Sequence, residues 1–415
     1  MRNTDVLIIG GGAIGSAAAY FLRRTAQAPS VMVIEPDPSY EFASTPRATG
    51  GVRRLFSCRE NIQMSVASMD FFAHWQEHAC LADSTAGDTP DLTDLTDVPD
   101  LNWREGGYLF VVDDRAAAIV ERNAARQREQ GVDVQLLDRA ALGARFPSIR
   151  NDDLTLAAWT PGDGWLDPNA VLQGFRKKAQ QLGAINVKDK VTGITVAGAR
   201  SAGSTSTQRG RATHVTLASG ETIGVNSIIN AAGAWAAGVC ALINMPLPVV
   251  PMRRFEHYVE IAAALEPLPL IKDLDRLVCR PEGKGGRGYS VGLVNSHEPP
   301  GFNFDPDPAY FERVVWPALA WRLPAFEALK LKSEWSGLYD ENTLDGNMIL
   351  GNWAGEVENF YVAAGFSGHG LMHAPAAGRA LAELILEGRY RTLDLARMDY
   401  RRVQRGAAVR EEGIV

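Results

Sequence analysis

The sequence predicts an α/β protein of two domains. Residues 6–9 are a short apolar run typical of a buried parallel strand, and a glycine turn at 10–15 follows them. A small, apolar helical stretch and a second apolar run at 31–34 then complete a β–α–β unit. Residues 245–330 alternate short strand-like runs with proline-rich connections, which indicates a second, sheet-based domain.

The composition is that of a folded soluble protein, and it excludes several classes of function. A chain of 415 residues is longer than one hydrophobic core normally supports, which favours two domains. The net charge of -7 argues against a nucleic-acid partner, because such proteins usually present a basic face. No apolar run is long enough for a transmembrane segment. The four cysteines are far apart and form no CxxC pair, so we expect a reducing, cytoplasmic location.

The glycine turn has the spacing of a dinucleotide-binding motif. Gly10 permits the tight turn, Gly12 lets backbone N–H groups approach a pyrophosphate, and Gly15 lets the helix pack on the strand. Glu35 follows Gly15 by 20 residues, at the end of the second strand, where a carboxylate accepts hydrogen bonds from a ribose diol. Such a carboxylate repels a 2′-phosphate, so the motif predicts FAD or NAD rather than NADP.

Two later helices and a hairpin have clear local signals. Asp167 and Pro168 suit the start of a helix over residues 170–182. A second helix is predicted over residues 374–386 and stops at Gly388. Strand-like runs at 191–196 and 214–217 predict a β-hairpin.

Five stretches, considered together, resemble one family. Besides the glycine motif they are residues 44–54 (STPRATGGVRR), 162–168 (GDGWLDP), 230–235 (NAAGAW) and 363–370 (AAGFSGHG). Their order and spacing resemble the D-amino-acid oxidase superfamily of flavoproteins, on the sarcosine oxidase and glycine oxidase side. The likeness extends over residues 5–388 and is specific for the superfamily rather than for a substrate.

The resemblance implies an α/β fold with a Rossmann-like FAD-binding domain built from discontinuous segments. We assign residues 1–95, 150–242 and 331–415 to that domain. Residues 96–149 and 243–330 then form an α+β substrate domain with a mixed sheet. The FAD contacts that the resemblance implies are Gly10, Gly12, Ala13, Ile14, Gly15, Glu35, Pro36, Arg47, Ala48, Thr49, Gly50, Gly51, Val191, Ala232, Gly233, Trp235, Gly337, Asp345, Gly365, Phe366, Ser367, Gly368, His369, Gly370, Leu371 and Met372.

The family oxidises the C–N bond of small amino acids or N-alkyl amino acids. A hydride passes from carbon to flavin N5, and the resulting imine hydrolyses. Arg53 matches the arginine that grips the substrate carboxylate in sarcosine oxidases, with Arg54 as the alternative one position away. His369 is placed against the flavin, and Tyr258 and His257 are candidates to line the substrate pocket.

Three positions depart from the sarcosine oxidases. Met372 stands where they carry a lysine that helps to hold the carboxylate. No cysteine lies near residues 336–339, where monomeric sarcosine oxidases attach FAD, so we expect non-covalent FAD. The oxygen-activating lysine has no clear counterpart within residues 288–295. The electron acceptor is therefore O₂ or another molecule, and the oligomeric state does not follow from the sequence.

Three other functions compete with amino-acid oxidation. A flavin-binding scaffold or assembly factor without turnover keeps the same fold, and a flavin hydroxylase shares the N-terminal motif. His74, Glu77 and His78 match an H-x-x-E-H pattern known from zinc proteases. We expect no metal site there, because helical spacing produces such pairs by chance and no third ligand is apparent.

Overall fold

The structure is a computed structural model that describes residues 2–80, 98–198, 209–274 and 277–413. Its strands are β1 (Arg2–Ile9), β2 (Val31–Glu35), β3 (Gly51–Val52), β4 (Tyr108–Val112), β5 (Gln135–Asp138), β6 (Leu156–Thr160), β7 (Gly164–Trp165), β8 (Ile185–Lys188), β9 (Val191–Ala197), β10 (Arg211–Leu217), β11 (Thr222–Asn230), β12 (Val249–Glu260), β13 (Leu270–Asp273), β14 (Leu277–Glu282), β15 (Gly288–Leu293), β16 (Lys330–Asn342), β17 (Ile349–Trp353) and β18 (Val357–Ala364). Its α-helices are α1 (Ala13–Arg23), α2 (Arg59–Ala73), α3 (Trp75–Ala79), α4 (Asp114–Glu129), α5 (Arg139–Arg145), α6 (Pro168–Gln181), α7 (Ala236–Ala241), α8 (Pro308–Tyr310), α9 (Trp316–Arg322), α10 (Gly370–Glu387) and α11 (Arg401–Arg405).

The first sheet has the order β17-β18-β11-β1-β2-β8, and the hairpin β9–β10 joins it through β11. Strand β1 pairs in parallel with both β2 and β11, and β11 pairs in parallel with β18. Helices α1, α6 and α10 pack together beside this sheet. Gly378 makes the α1–α10 contact possible, because a Cβ there would lie 2.7 Å from Ala17. The nearly continuous apolar sequence of β1 and β2 fits strands covered on both faces.

The second sheet has the order β16-β12-β15-β14-β13-β4-β6-β5 and is mixed. Only the β13–β4 pair is parallel within the described strands. One face packs against α9 and the turns beside it through a buried cluster that includes Tyr289, Phe311 and Phe326. The other face looks towards the first sheet. The two sheets therefore enclose the space between them.

The predicted local elements are confirmed. The β1–α1–β2 unit and the β9–β10 hairpin form as expected. The Asp167 side chain accepts hydrogen bonds from the backbone N–H groups of Asn169 and Ala170, and so caps α6. Helix α10 begins at Gly370, one turn before the predicted start, and ends at Gly388 with φ 71°.

Two strands lie in a different sheet from the one that the predicted segments imply. Strands β6 and β16 fall within the segments 150–242 and 331–415, but both pair in the second sheet. The end of β16 also meets the first domain, since the backbone N–H of Asn342 donates to the Ser367 hydroxyl. A strand that crosses between domains in this way has no boundary signal in its own sequence. The boundary near residue 95 lies outside the described residues.

Candidate active site

A cavity of about 1,020 Å³ lies between the two sheets. Its lining on one side comes from the residues that follow the carboxyl ends of β1, β2, β11 and β18. On the other side it comes from the inward face of β12 to β16. Ligands of open parallel sheets bind at the carboxyl ends of the strands, where the connecting loops separate. This cavity is therefore the candidate site for both cofactor and substrate.

The glycine motif closes the first end of the cavity. Gly10 has φ 96°, and a Cβ there would lie 2.5 Å from the carbonyl oxygen of Ala231. Gly12 precedes the first turn of α1, which contains no acidic residue, and the positive end of the helix faces the cavity because Gly12, Ala13 and Ile14 line it. Gly15 does not line the cavity. A Cβ there would lie 2.0 Å from the Gly10 carbonyl oxygen, so this glycine allows the helix to pack on the turn.

Glu35 lies at the edge of the same end. Its Oε2 accepts a hydrogen bond from the backbone N–H of Gly11 at 2.8 Å, and its Oε1 accepts one from Asp37 at 3.0 Å. Burial raises the pKa of this carboxyl, while both bonds favour its ionised form. The acid therefore braces the glycine turn in addition to facing the cavity.

Most residues that the resemblance assigns to FAD line this one cavity. Those that do are Gly10, Gly12, Ala13, Ile14, Glu35, Pro36, Arg47, Ala48, Thr49, Gly50, Gly51, Val191, Ala232, Gly233, Trp235, Gly337, Asp345, Phe366, Ser367, Gly368, His369, Gly370, Leu371 and Met372. Among them Asp345 is already engaged. Its carboxylate binds Arg402, with Nε to Oδ2 at 2.9 Å, and accepts from the Val409 N–H, so it anchors the C-terminal tail.

Asp340 fixes the glycine-rich loop that precedes α10. Its Oδ2 accepts the backbone N–H groups of Gly365 at 2.7 Å and Phe366 at 3.2 Å. Gly365 itself lies behind the lining, with φ 77°, and provides the turn. The loop presents Gly368 and the first turn of α10 to the cavity, where the positive end of the helix favours an anionic ligand. Sequence reasoning missed Asp340, because no motif contains it.

Arg53 is a buried cation at the second end of the cavity, with 2% of its surface exposed. Its Nη1 donates to the Leu55 carbonyl at 2.5 Å, and its Nη2 lies 3.1 Å from Nε2 of His369. Its guanidinium carbon lies 4.0 Å from the Phe56 ring centroid and 5.2 Å from that of Phe110. Among the described residues no carboxylate forms an ion pair with it. Burial lowers the pKa of Arg53 and thus opposes its charge.

The contact with Arg53 fixes the state of His369. A guanidinium can only donate, so Nε2 of His369 accepts and the ring proton is on Nδ1. Burial, with the charge of Arg53, lowers the pKa of this imidazole well below its ordinary value. His369 is therefore a neutral donor at the cavity wall. Met372, 5% exposed, adds an apolar surface one turn further along α10.

Arg54 has a different environment from its neighbour. Its Nε binds Oδ1 of Asp163 at 2.6 Å, and its backbone N–H donates to Oδ2 at 2.9 Å. Asp163 is completely buried, and Thr160 also donates to it. Arg54 does not line the cavity. Its charge is thus neutralised by an ion pair, whereas Arg53 forms none with the described residues, and the charges of Glu411 and Asp163 act on it only from farther away.

Tyr258 and His257 lie outside the cavity lining. The Tyr258 hydroxyl donates to Glu260 at 3.3 Å, towards the outer end of β12. His257 points to the opposite face of the sheet, where its ring lies 4.7 Å from that of Phe311. The pocket from this strand is instead formed by Arg254 and Glu256. His257 points away from the cavity because successive side chains of a strand point to opposite faces. Tyr258 is on the same face as Glu256 but lies beyond the edge of the cavity.

The second sheet contributes polar residues that sequence reasoning missed. Besides Asp340 and Arg254, they include Tyr108, Glu256, Lys272 and Tyr339, which line the cavity from four different strands. Each lies in an ordinary strand pattern. Only the register between strands brings them to one face, so no signal along the chain identifies them.

The histidine pair of the H-x-x-E-H pattern makes other contacts. Helix α2 ends at Ala73, so His74 and His78 do not share one helix. His78 stacks on Phe71 at 3.9 Å, and its Nδ1 lies 3.0 Å from Arg24, whose charge opposes a metal cation. In the part of the chain that the structure describes, no group of three ligand-type side chains could hold a metal ion, and no helix could span a membrane.

Comparison with known proteins gives relatives over the whole chain. The family model described as FAD dependent oxidoreductase matches residues 5–384. The FAD-dependent oxidoreductase domain-containing protein 1 of Xenopus laevis is 36% identical, over 100% of this chain and 85% of that protein. Human mitochondrial sarcosine dehydrogenase is 25% identical, over 93% of this chain and 40% of that protein. The structure of L-proline dehydrogenase from P. horikoshii has a TM-score of 0.82 at 24% identity, covering 98% of this chain and all of that chain.

The cavity fits the cofactor that these relatives indicate. A Cβ at Gly10 would block the turn beside Ala231, while one at Gly233 would meet no atom within 4 Å, so backbone is open to a ligand there. The N-terminus of α1 suits the pyrophosphate, Glu35 the ribose, and the loop before α10 the flavin. The chain belongs to the family of FAD-dependent oxidoreductases.

Proposed function

We propose that this protein oxidises the C–N bond of an amino acid or N-alkyl amino acid, and that Arg53 holds the substrate carboxylate. The environment of Arg53 carries this proposal. It is a fully buried guanidinium that lines the cavity and has no ionic partner among the described residues. A buried charge without a partner is costly, so proteins retain it where a ligand supplies the counter-charge.

The neighbouring arginine serves as an internal comparison. Both residues lie on one short segment, but Asp163 forms an ion pair with Arg54 alone and acts on Arg53 only from farther away. The buried carboxylate of Asp163 is thus close to both arginines, but its oxygens bind Arg54 and not Arg53. A substrate carboxylate can accept two parallel hydrogen bonds from Arg53, which fix the orientation of the substrate as well as its position.

The other cavity residues suit the same chemistry. When bound, FAD supplies the acceptor for the hydride of the C–N oxidation. His369 donates from Nδ1 and holds Arg53 in place through Nε2. Met372 and Leu270 make part of the wall apolar, which excludes water from the reacting carbon and favours the uncharged amine. The likeness to sarcosine dehydrogenase supports a substrate of the N-alkyl amino-acid class.

Anaerobic reduction of the bound flavin tests this function directly. The purified protein is mixed with D- and L-amino acids and their N-methyl derivatives, and bleaching of the flavin absorbance is followed. We expect bleaching by at least one amino acid and none by the corresponding amine that lacks a carboxylate. Bleaching by NADH alone would favour a hydroxylase, and no bleaching by any compound would favour a scaffold without turnover.

A further inference from the structure

We propose that Glu256 binds a cationic group at the far end of the substrate, so that the substrate is an amino acid with a second, distal amine. This inference rests on the proposed function, because it takes Arg53 as the site of the α-carboxylate. It adds a second point of recognition and therefore a narrower substrate class.

Glu256 is a buried acid that faces the cavity. It is 8% exposed, and its carboxylate accepts hydrogen bonds from the hydroxyls of Ser290 and, at 3.2 Å, Thr49. Within the described ranges it forms no ion pair. The charge of Arg280 acts on it, but the guanidinium of Arg280 binds Glu282 at 2.6 Å and the Thr49 carbonyl at 2.7 Å. The carboxylate thus has hydroxyl donors on one side and the cavity on the other.

Residues on four neighbouring strands of the second sheet form the floor of the cavity between Arg53 and Glu256. Phe110, Lys272 and Val278 are register partners on three successive strands, and Gly292 is the partner of Val278 on the fourth. Gly292 lies next to the acid, since a Cβ there would be 3.1 Å from Oε2 of Glu256. Lys272, Val278, Gly292 and Glu256 all line the cavity. A small residue beside Glu256 leaves room for a ligand to reach its carboxylate.

The two ends are too far apart for both groups of one α-carbon. Arg53 stacks near Phe110, whose strand is four positions from that of Glu256 in the sheet. At about 4.8 Å per strand the backbones of β4 and β12 are roughly 19 Å apart, and the Arg53 guanidinium near Phe110 and the Glu256 carboxylate beside Gly292 lie within that span. Tyr108 and Tyr339 line the same cavity and are near both charges, since Arg53 lowers and Glu256 raises the pKa of each hydroxyl. The α-amine and α-carboxylate of an amino acid share one carbon and cannot reach both ends.

The signs of the charges identify the distal group. Lys272 lies at the Arg53 end and adds to its positive potential, as its effect on His369 indicates. Glu256 is the acid on the β12 side of the cavity, away from Arg53. A ligand with a carboxylate at one end and an ammonium group at the other matches this polarity, whereas a purely aliphatic side chain leaves Glu256 buried without a counter-charge.

The test compares substrates that differ only in the distal amine. Ornithine and lysine are paired with norvaline and norleucine, as D- and L-forms and as N-methyl derivatives. Anaerobic flavin reduction gives a rate constant and an apparent dissociation constant for each. We expect the ratio of rate to dissociation constant to favour the diamino acids by about 30-fold or more, mainly through binding. Glu256→Gln should remove most of this preference, so that the ratio for ornithine and lysine falls towards that for norvaline and norleucine.

A matched control lies on the same strand. Glu260 is exposed, pairs with Lys332 and lies outside the cavity, so Glu260→Gln should keep the preference. FAD content and the melting temperature of each variant report on folding. Equal use of both compound classes by the wild type would overturn the inference while the proposed function stands. So would an equal loss for both classes in Glu256→Gln, which would place this acid at the reacting amine or the cofactor. Failure of every amino acid to reduce the flavin would overturn both.

Discussion

Replacing Arg53 by methionine should separate catalysis from stability. The substitution keeps most of the side-chain volume between Phe56 and Phe110 and removes the charge. Without substrate, this charge forms no ion pair with the residues that the structure describes, and burial opposes it. Its removal also leaves the Leu55 carbonyl without its donor, at a cost of about 1–3 kcal/mol. Relief of the buried charge offsets that cost, so we expect a melting temperature close to that of the wild type.

The effect on the reaction should be much larger. Truncating one side of a buried, hydrogen-bonded charge pair costs about 2–5 kcal/mol. At about 1.4 kcal/mol for each factor of ten, flavin reduction per unit substrate concentration should fall by roughly 30- to 5,000-fold. Part of the loss should appear in the limiting rate, because the carboxylate also orients the reacting C–H bond. Arg53→Lys should recover only part, since an ammonium group cannot form the paired hydrogen bonds.

Arg54→Met is the matched control with the opposite expected pattern. It leaves Asp163 buried without its cation, which should destabilise the protein by about 3–5 kcal/mol. Substrate affinity of the folded fraction should change little. Both variants are compared by thermal unfolding and by anaerobic reduction with the best amino acid. A large loss of stability in Arg53→Met, or a loss of flavin reduction confined to Arg54→Met, would refute the assignment of Arg53.

Three further predictions concern the cofactor end. Acid precipitation should release FAD into the supernatant, because none of the four buried cysteines lines the cavity, and flavin retained in the pellet would contradict this. Glu35→Ala should weaken FAD binding by about 1.5–3 kcal/mol in a titration, with a small loss of stability from the freed N–H groups of Gly11 and Asp37; unchanged affinity would refute the ribose contact. Burial raises the pKa of Asp340 from 3.8 to about 6, so the folded state binds a proton on this carboxyl more tightly than the unfolded state does. The stability that the protonated carboxyl contributes is lost as the pH rises through about 6. Asp340→Asn should therefore gain stability relative to the wild type between about pH 4 and pH 7, and a pH-independent difference in melting temperature would contradict the shift.

Sequence patterns predicted the elements whose signals are local. The glycine turn, the Asp167 cap and the stop at Gly388 each depend on the backbone needs of a few adjacent residues. The cofactor end was predictable for the same reason, since it is built mainly from backbone at strand ends. Helix α10 begins earlier than predicted, at Gly370, because glycine is a weak helix former and gives no local signal for the start of a helix.

The substrate end depends on contacts between distant segments. Asp163 is 109 residues from the Arg54 side chain that it neutralises, so nothing near the two arginines indicates which one is free to bind a ligand. Tyr258 and Glu256 are two residues apart on one strand, and the sequence does not tell where along β12 the cavity ends. Strand register and the depth of the cavity decide both questions, and neither has a local signal.

The two ends of the cavity therefore impose different constraints on sequence change. At the cofactor end a new side chain at Gly10 would meet backbone, so few substitutions are tolerated there. At the substrate end the recognition groups are side chains of strands whose backbone does not depend on them. Lys272 or Glu256 can be exchanged without altering the sheet, provided that the new side chain fits the same buried space. We expect substrate preference to change through these strand positions while the proposed carboxylate site at Arg53 is retained, because the family likeness indicates an FAD-dependent oxidoreductase and leaves the substrate to the side chains of the second sheet.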